Sequence, residues 1–161
     1  MIELTLTEAH VNLLLDRVQD LSASYQDGCF VLHRKLPIGA ASLVAVPTVE
    51  GSELVLYLPF DQIRGNITGN LMGQLTKMLW GVITDQVLKQ AGPRLVAAGL
   101  PSDTLSVEQV SFQGKKAGRI GISLRRLNEW LSRQKWVDPL HVSVESLRFE
   151  PGLLTAKLDL S

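Results

Sequence analysis

The chain has 161 residues, 16 basic and 16 acidic side chains, a formal net charge of zero and 45% hydrophobic content. That length supports a single domain, 1–161, with room for a true core, and a zero net charge excludes a global field drawing the protein to nucleic acid or to a membrane. The single cysteine, Cys29, excludes an internal disulfide framework.

The first residues, Met1 to Glu8, carry neither a basic n-region nor an apolar h-region, so no signal peptide is expected. No window approaches the roughly 18 apolar residues that a spanning helix needs, and a cytoplasmic setting is the expectation. Ile2, Leu4 and Leu6 alternate with polar residues as a short strand. Thr7 then caps a helix running to about Ser22, with Glu8 in its first turn and Val11, Leu14, Leu15 and Val18 facing inward. Asp27-Gly28 turns the chain into three extended runs, Cys29 to Leu36, Ala40 to Val49 and Glu53 to Leu58, the last covered on both faces.

Ile67 to Ala91 is expected to be the central element. Leu71, Leu75, Met78, Leu79, Val82 and Leu88, with Met72, Ile83 and Val87, give an apolar face wider than a surface stripe. Thr68 or Asn70 suits the N-cap, Gly92-Pro93 is expected to stop the helix, and Arg94 to Ala98 can form one more helical turn before Gly99-Leu-Pro101. At about 1.5 Å per residue it spans roughly 35 Å and is expected to lie along a sheet and bury most of its girth. Leu105 to Gln113 and Arg119 to Ser123 read as a hairpin around Gly114 to Gly118. A third helix follows from Leu124 to about Gln134, and a closing hairpin, Leu140 to Glu150 and Leu153 to Leu160, turns at Pro151-Gly152.

Two internal echoes accompany these elements. Leu4 to Leu15 aligns without a gap on Ile120 to Leu131, sharing a Thr/Ser cap (Thr7, Ser123) and an asparagine (Asn12, Asn128) that reads as a structural hydrogen-bonder. Ser106 to Gln113 matches Ser143 to Glu150, and in both the apolar alternation slips by one, between Val107 and Val110 and between Val144 and Leu147. Such a slip is expected to be a β-bulge bending its strand. The fold class is therefore α+β: a curved, largely antiparallel sheet of about 7–8 strands wrapped on one long helix, with two shorter helices and an internal pseudo-repeat.

The pattern apolar-x-apolar-x-x-apolar-x-Phe-x-x-Gly-x-apolar, with the opening Thr-x-x-x-Val-Asn-x-Leu-Leu at Thr7 to Leu15, resembles the AsmA-like and tubular lipid-binding β-groove families. The resemblance implies a curved sheet cradling a helix, with an apolar groove for an acyl chain.

No catalytic constellation emerges. Cys29 sits in an apolar strand and reads as a buried, inert thiol. His10, His33 and His141 are scattered without metal-ligand spacing, Gln113-Gly-Lys-Lys116 lacks the parts of a phosphate loop, and Glu50 and Glu53 read as solvated turn residues. No metal or cofactor is expected. Met72, Leu75, Met78, Leu79 and Trp80 are the candidate ligand-binding residues, since Met-rich surfaces adapt to apolar ligands. Between Gly114 and Lys135 lie seven basic residues against Glu129 alone, and Lys115, Lys116, Arg125 and Arg126 are the candidate contacts to an anionic membrane surface. Aromatics are not interleaved with these charges, so nucleic acid is not an expected partner. The expectation is a non-enzymatic binding module for a lipid or other apolar ligand; the alternative is a structural or protein-interaction domain with a filled core.

Overall fold

Alternating apolar strands and capped helices assemble into an α+β fold with two antiparallel sheets. The computed structural model describes residues 2–15, 21–26, 29–36, 39–65, 72–134, 142–150 and 153–160. A three-stranded sheet pairs the ends of the chain, β1 (Ile2–Thr7), β10 (Leu153–Leu160) and β9 (Val142–Glu150), in the order β1-β10-β9. The larger sheet has the order β2-β3-β4-β5-β8-β7. Its strands are β2 (Leu21–Gln26), β3 (Cys29–Leu36), β4 (Gly39–Glu50), β5 (Glu53–Pro59), β7 (Leu105–Phe112) and β8 (Lys115–Ser123), and the two-residue β6 (Arg64–Gly65) pairs with β4.

The chain crosses between sheets twice, each time on a short helix. α1 (Glu8–Leu15) leads from β1 to β2, and α4 (Leu124–Leu131) leads from β8 to β9. Both helices start on a hydroxyl cap. Thr7 Oγ1 accepts from the His10 amide at 3.3 Å, and Ser123 Oγ accepts from the Arg126 amide at 3.3 Å.

Between β6 and β7 lies the long helix, in three continuous segments: α2 (Met72–Asp85), a π-helical stretch (Gln86–Ala91) and α3 (Gly92–Ala97). Leu75 and Leu79 bury themselves against Ala41, Leu43 and Ala45 of β4, Leu58 of β5, and Ile63. Phe30, Leu32, Leu56, Phe60, Trp80, Ile83 and Ile120 pack around this core.

Several sequence expectations are corrected. Gly92-Pro93 does not stop the helix. A proline inside a helix lacks the amide for the carbonyl four residues back and presses its ring on that carbonyl. The wider π turn before Pro93 absorbs this, with the Gly92 amide bonded to Val87 O, and the helix runs on to Ala97. It does not bury most of its girth either: packed on one sheet face, it leaves Met78, Leu88 and Val96 exposed. The first helix, expected to about Ser22, is described to Leu15, and Leu21–Gln26 is a strand paired with β3. β8 starts at Lys115 after a tight turn at Gln113-Gly114, both at positive φ, and α4 ends at Leu131. Of the two expected bulges, the second is present: Lys157 faces Ser146 and Leu158 faces Val144, leaving Glu145 as the extra residue. β7 runs in unbroken register with β8, which puts Val107 and Val110 on opposite sides of that sheet. The expected caps Thr68 and Asn70, and the helix start at Ile67, lie outside the described residues.

Candidate functional site: an apolar groove beside the long helix

Successive side chains of a strand alternate between faces. On β3 this sends Phe30, Leu32 and Arg34 to the side carrying the helix, and pairing places Phe30 opposite Ala45, Leu32 opposite Leu43 and Arg34 opposite Ala41. On the helix, residues 79, 82, 83, 86 and 87 recur at steps of three and four and share one face. Where these two surfaces diverge they leave a groove of about 190 Å³, lined by Leu32, Ala41, Leu43, Leu79, Val82, Ile83 and Val87, with Arg34, Ser42 and Gln86 as its polar members. Leu43 and Leu79, 6% and 7% exposed, form the floor. Arg34 is half-buried and Gln86 is exposed, so the groove grades from an apolar floor to a polar mouth. The π stretch begins at Gln86, so the widened turn forms part of the wall.

The five residues chosen from sequence for ligand binding fall in different places. Leu79 lines the groove. Leu75, 2% exposed, is core. Trp80 packs edge-on to Phe60, ring centroids 5.6 Å apart, over Gly118 of β8. Met78 is 46% exposed, on the helix surface. Met72 opens α2, and its side chain lies outside the described residues. Sequence reasoning missed Leu32, Arg34, Ala41, Leu43, Val82, Ile83, Gln86 and Val87 as a set. The helix members were visible as an i, i+3, i+4 stripe, whereas their strand partners depend on register.

The four basic candidates sit at opposite ends of β8. Lys115 binds Asp61 at 2.8 Å and holds that carboxyl below its ordinary range. Arg125 meets Glu129 at 3.4 Å, and Arg126 binds Asp103 at 2.8 Å and Glu129 at 3.0 Å. The two carboxylates raise the Arg126 guanidinium further above its already high value, Glu129 first. Lys116 alone of the four has no ion pair among the described residues. Paired surface charges contribute little net field, so the geometry leaves this patch far closer to neutral than its composition.

Glu50 and Glu53, expected as solvated turn residues, have side chains 45% and 36% exposed, and they also anchor a brace on the face of the larger sheet away from the helix. Arg119, its side chain 13% exposed, donates to Glu53 at 2.5 Å and lies 3.6 Å from Glu50 and 3.5 Å from Glu108. The Tyr57 hydroxyl donates to Glu50 at 2.5 Å, and its ring stacks on Phe112 with centroids 4.2 Å apart. Hydrogen bonding to Glu50, then burial, raises the Tyr57 pKa; hydrogen bonding to Glu53 raises that of Arg119. Gly121 is needed beneath this cluster, since a Cβ there would meet Ser106 Oγ at 2.6 Å and Arg119 Nη1 at 3.0 Å. The cluster ties β4, β5, β8 and β7 together.

Cys29 is half-buried rather than buried. Among the described residues no group of His, Cys, Asp and Glu is placed to hold a metal ion. Among them, too, no helix is long and apolar enough to cross a membrane, which says nothing of strands.

The two asparagines of the first echo make the same pair of bonds. Asn12 Nδ2 donates to Ala23 O and its Oδ1 accepts from Ala23 N, both at 2.8 Å. Asn128 Nδ2 donates to Val144 O at 3.3 Å and its Oδ1 accepts from Val144 N at 2.8 Å. Ala23 and Val144 lie on β2 and β9, each an edge strand of its sheet. Each crossing helix thus fastens the edge of the sheet that the chain is about to enter, where unpaired amides would otherwise stand open. On β2 the Glu8 carboxylate adds a second bond, accepting from Tyr25 N at 3.0 Å.

No family model, curated protein or solved structure matches this chain.

Proposed function

We propose that the protein is a non-enzymatic binding module for a single apolar chain, seated in the groove between the long helix and strands β3 and β4. The observation that carries the reading is the groove itself, seven aliphatic side chains around about 190 Å³ with a buried floor and a polar mouth. Its volume is below the roughly 300–1,000 Å³ of drug-sized sites. With a methylene close to a water molecule in volume, about 30 Å³, it takes about six methylenes: a short chain, or one end of a longer one. At about 0.8 kcal/mol per buried methylene the gross gain is about 5 kcal/mol, which corresponds to sub-millimolar binding before ordering costs.

Native mass spectrometry of the purified protein, with titration of a fluorescent medium-chain acyl probe, tests the reading. Bound acyl species and saturable probe binding that Val82→Trp abolishes by filling the groove support it. An empty protein that ignores the probe would instead favour the structural or protein-interaction alternative.

We further read the β1-α1 and β8-α4 corners as halves of an internal duplication, supported by the matched hydroxyl caps and the matched asparagine clamps. In that reading the two sheets curve around the helix as one groove-bearing body, and an anionic membrane is a source of ligand approached through Lys116.

A further inference from the structure

Three arginines among the described residues are half-buried: Arg34, Arg119 and Arg126. Arg119 is surrounded by Glu50, Glu53 and Glu108, and Arg126 is held by Asp103 and Glu129. That is the ordinary condition of a guanidinium withdrawn from water, because an unpaired buried charge is costly. Arg34 differs. It has no carboxylate and no hydrogen-bond partner among the described residues, and it lines the one groove described above whose walls are aliphatic. Its neighbours across the strands, Ala41 on β4 and Leu21 on β2, bring no charge.

We propose that Arg34 is the head-group anchor of this groove and that the ligand is a single-chain aliphatic carboxylate, a medium-chain fatty acid of about eight carbons. The proposal rests on the groove reading above and assigns it a ligand class. The polarity of the site sets the orientation. The tail lies toward Leu43 and Leu79 on the floor, and the carboxylate lies at the mouth. There the planar guanidinium donates two parallel N–H bonds to the two carboxylate oxygens, and the exposed Gln86 amide stands ready for a third. The chain length follows the groove volume: about six methylenes fill 190 Å³.

The experiment compares octanoate, octanol and octyl phosphate by titration calorimetry against the native chain, Arg34→Met and Arg34→Lys. Octanoate is expected to bind the native chain roughly tenfold to a hundredfold more tightly than octanol, the range for a charge-assisted pair. Arg34→Met keeps an apolar stem of similar length, and in it the ratio of octanoate to octanol affinity is expected to fall to about one. Arg34→Lys restores part of the preference for octanoate. Equal binding of octanoate and octanol by the native chain overturns the anchor while leaving the groove reading intact. Tighter binding of octyl phosphate than octanoate overturns the carboxylate. Failure of all three to bind overturns the groove reading and the anchor together. The comparison of head groups on the native chain needs no variant, so a misfolded Arg34→Met does not rescue the idea.

Discussion

Gly118 gives the sharpest test of how the long helix is seated. It lies on β8 between Leu58 of β5 and Gln109 of β7, beneath the indole of Trp80. A Cβ placed there would meet Trp80 Cζ3 first, with Cε3 and Cη2 both at 2.8 Å. Ordinary carbon contacts lie at about 3.5–4.0 Å, so Gly118→Ala must displace the ring by roughly 1 Å. The ring has little freedom, because Phe60 packs against it. Such overpacking costs about 1–3 kcal/mol. Against this stands a gain of about 0.4–1 kcal/mol from restricting the unfolded chain, available because Gly118 has no left-handed backbone to protect. The expected net loss is about 1–2 kcal/mol, or roughly 2–6 °C in Tm for a chain of this size. Trp80→Leu removes the ring, so in that background Gly118→Ala is expected to be neutral or slightly stabilising. The double-mutant cycle then isolates the contact. Urea unfolding with an unchanged m value is the measurement. If Gly118→Ala is as stable as the parent, or costs the same with and without Trp80, the indole does not sit where this reasoning puts it.

Two other perturbations probe the remaining parts of the structure. The Tyr57 pKa is raised in the folded state, so its contribution is complete below the unfolded value of about 10 and is lost as pH rises through the folded one. Stability is therefore expected to fall more steeply than in Tyr57→Phe as pH rises above about 10, and urea midpoints that respond to pH alike in the two proteins there would remove Tyr57 from the account. Asn12→Ala and Asn128→Ala each leave a strand amide and carbonyl without their side-chain partners, at a cost of about 1–3 kcal/mol apiece. Faster hydrogen exchange is expected at Ala23 in the first variant and at Val144 in the second; unchanged exchange at both would show that water replaces the clamps without penalty.

Much of the fold was legible because local rules and tertiary packing agree over most of the chain. The Gly51-Ser52 turn joins β4 to β5 with Gly51 at positive φ, and β3 runs from Cys29 to Leu36 as its pattern implies. The asparagines could be read as hydrogen-bonders because a short amide on a helix near a strand end serves the backbone well. The errors have two physical origins. Leu21–Gln26 (Leu-Ser-Ala-Ser-Tyr-Gln) has weak strand propensity, and it is a strand because β3, Asn12 and Glu8 supply bonds from distant parts of the chain. Tertiary context overrides propensity there. Gly92-Pro93 misled in the opposite direction, since a stop signal was accommodated by widening the preceding turn instead of ending the helix.

The site was less legible than the fold, for a reason that Arg34 makes concrete. On sequence, Arg34 is one of two adjacent basic residues, Arg34 and Lys35, near the end of a strand, indistinguishable from a solvated edge. Its neighbour Lys35 is exposed, and only the alternation fixed by the β3–β4 register turns Arg34 toward the helix. A slip of one residue would exchange the two, putting Lys35 in the groove and Arg34 in water. The basic cluster from Lys115 to Arg126 shows the converse. It stood out by composition, yet Asp61, Asp103 and Glu129 come from other segments or from the same helix face to pair three of its four candidates. Charge density in a sequence is therefore a poor guide to charge available for binding. What matters is which cation folding leaves without a counter-ion and with apolar walls around it, and among the described residues that points to Arg34.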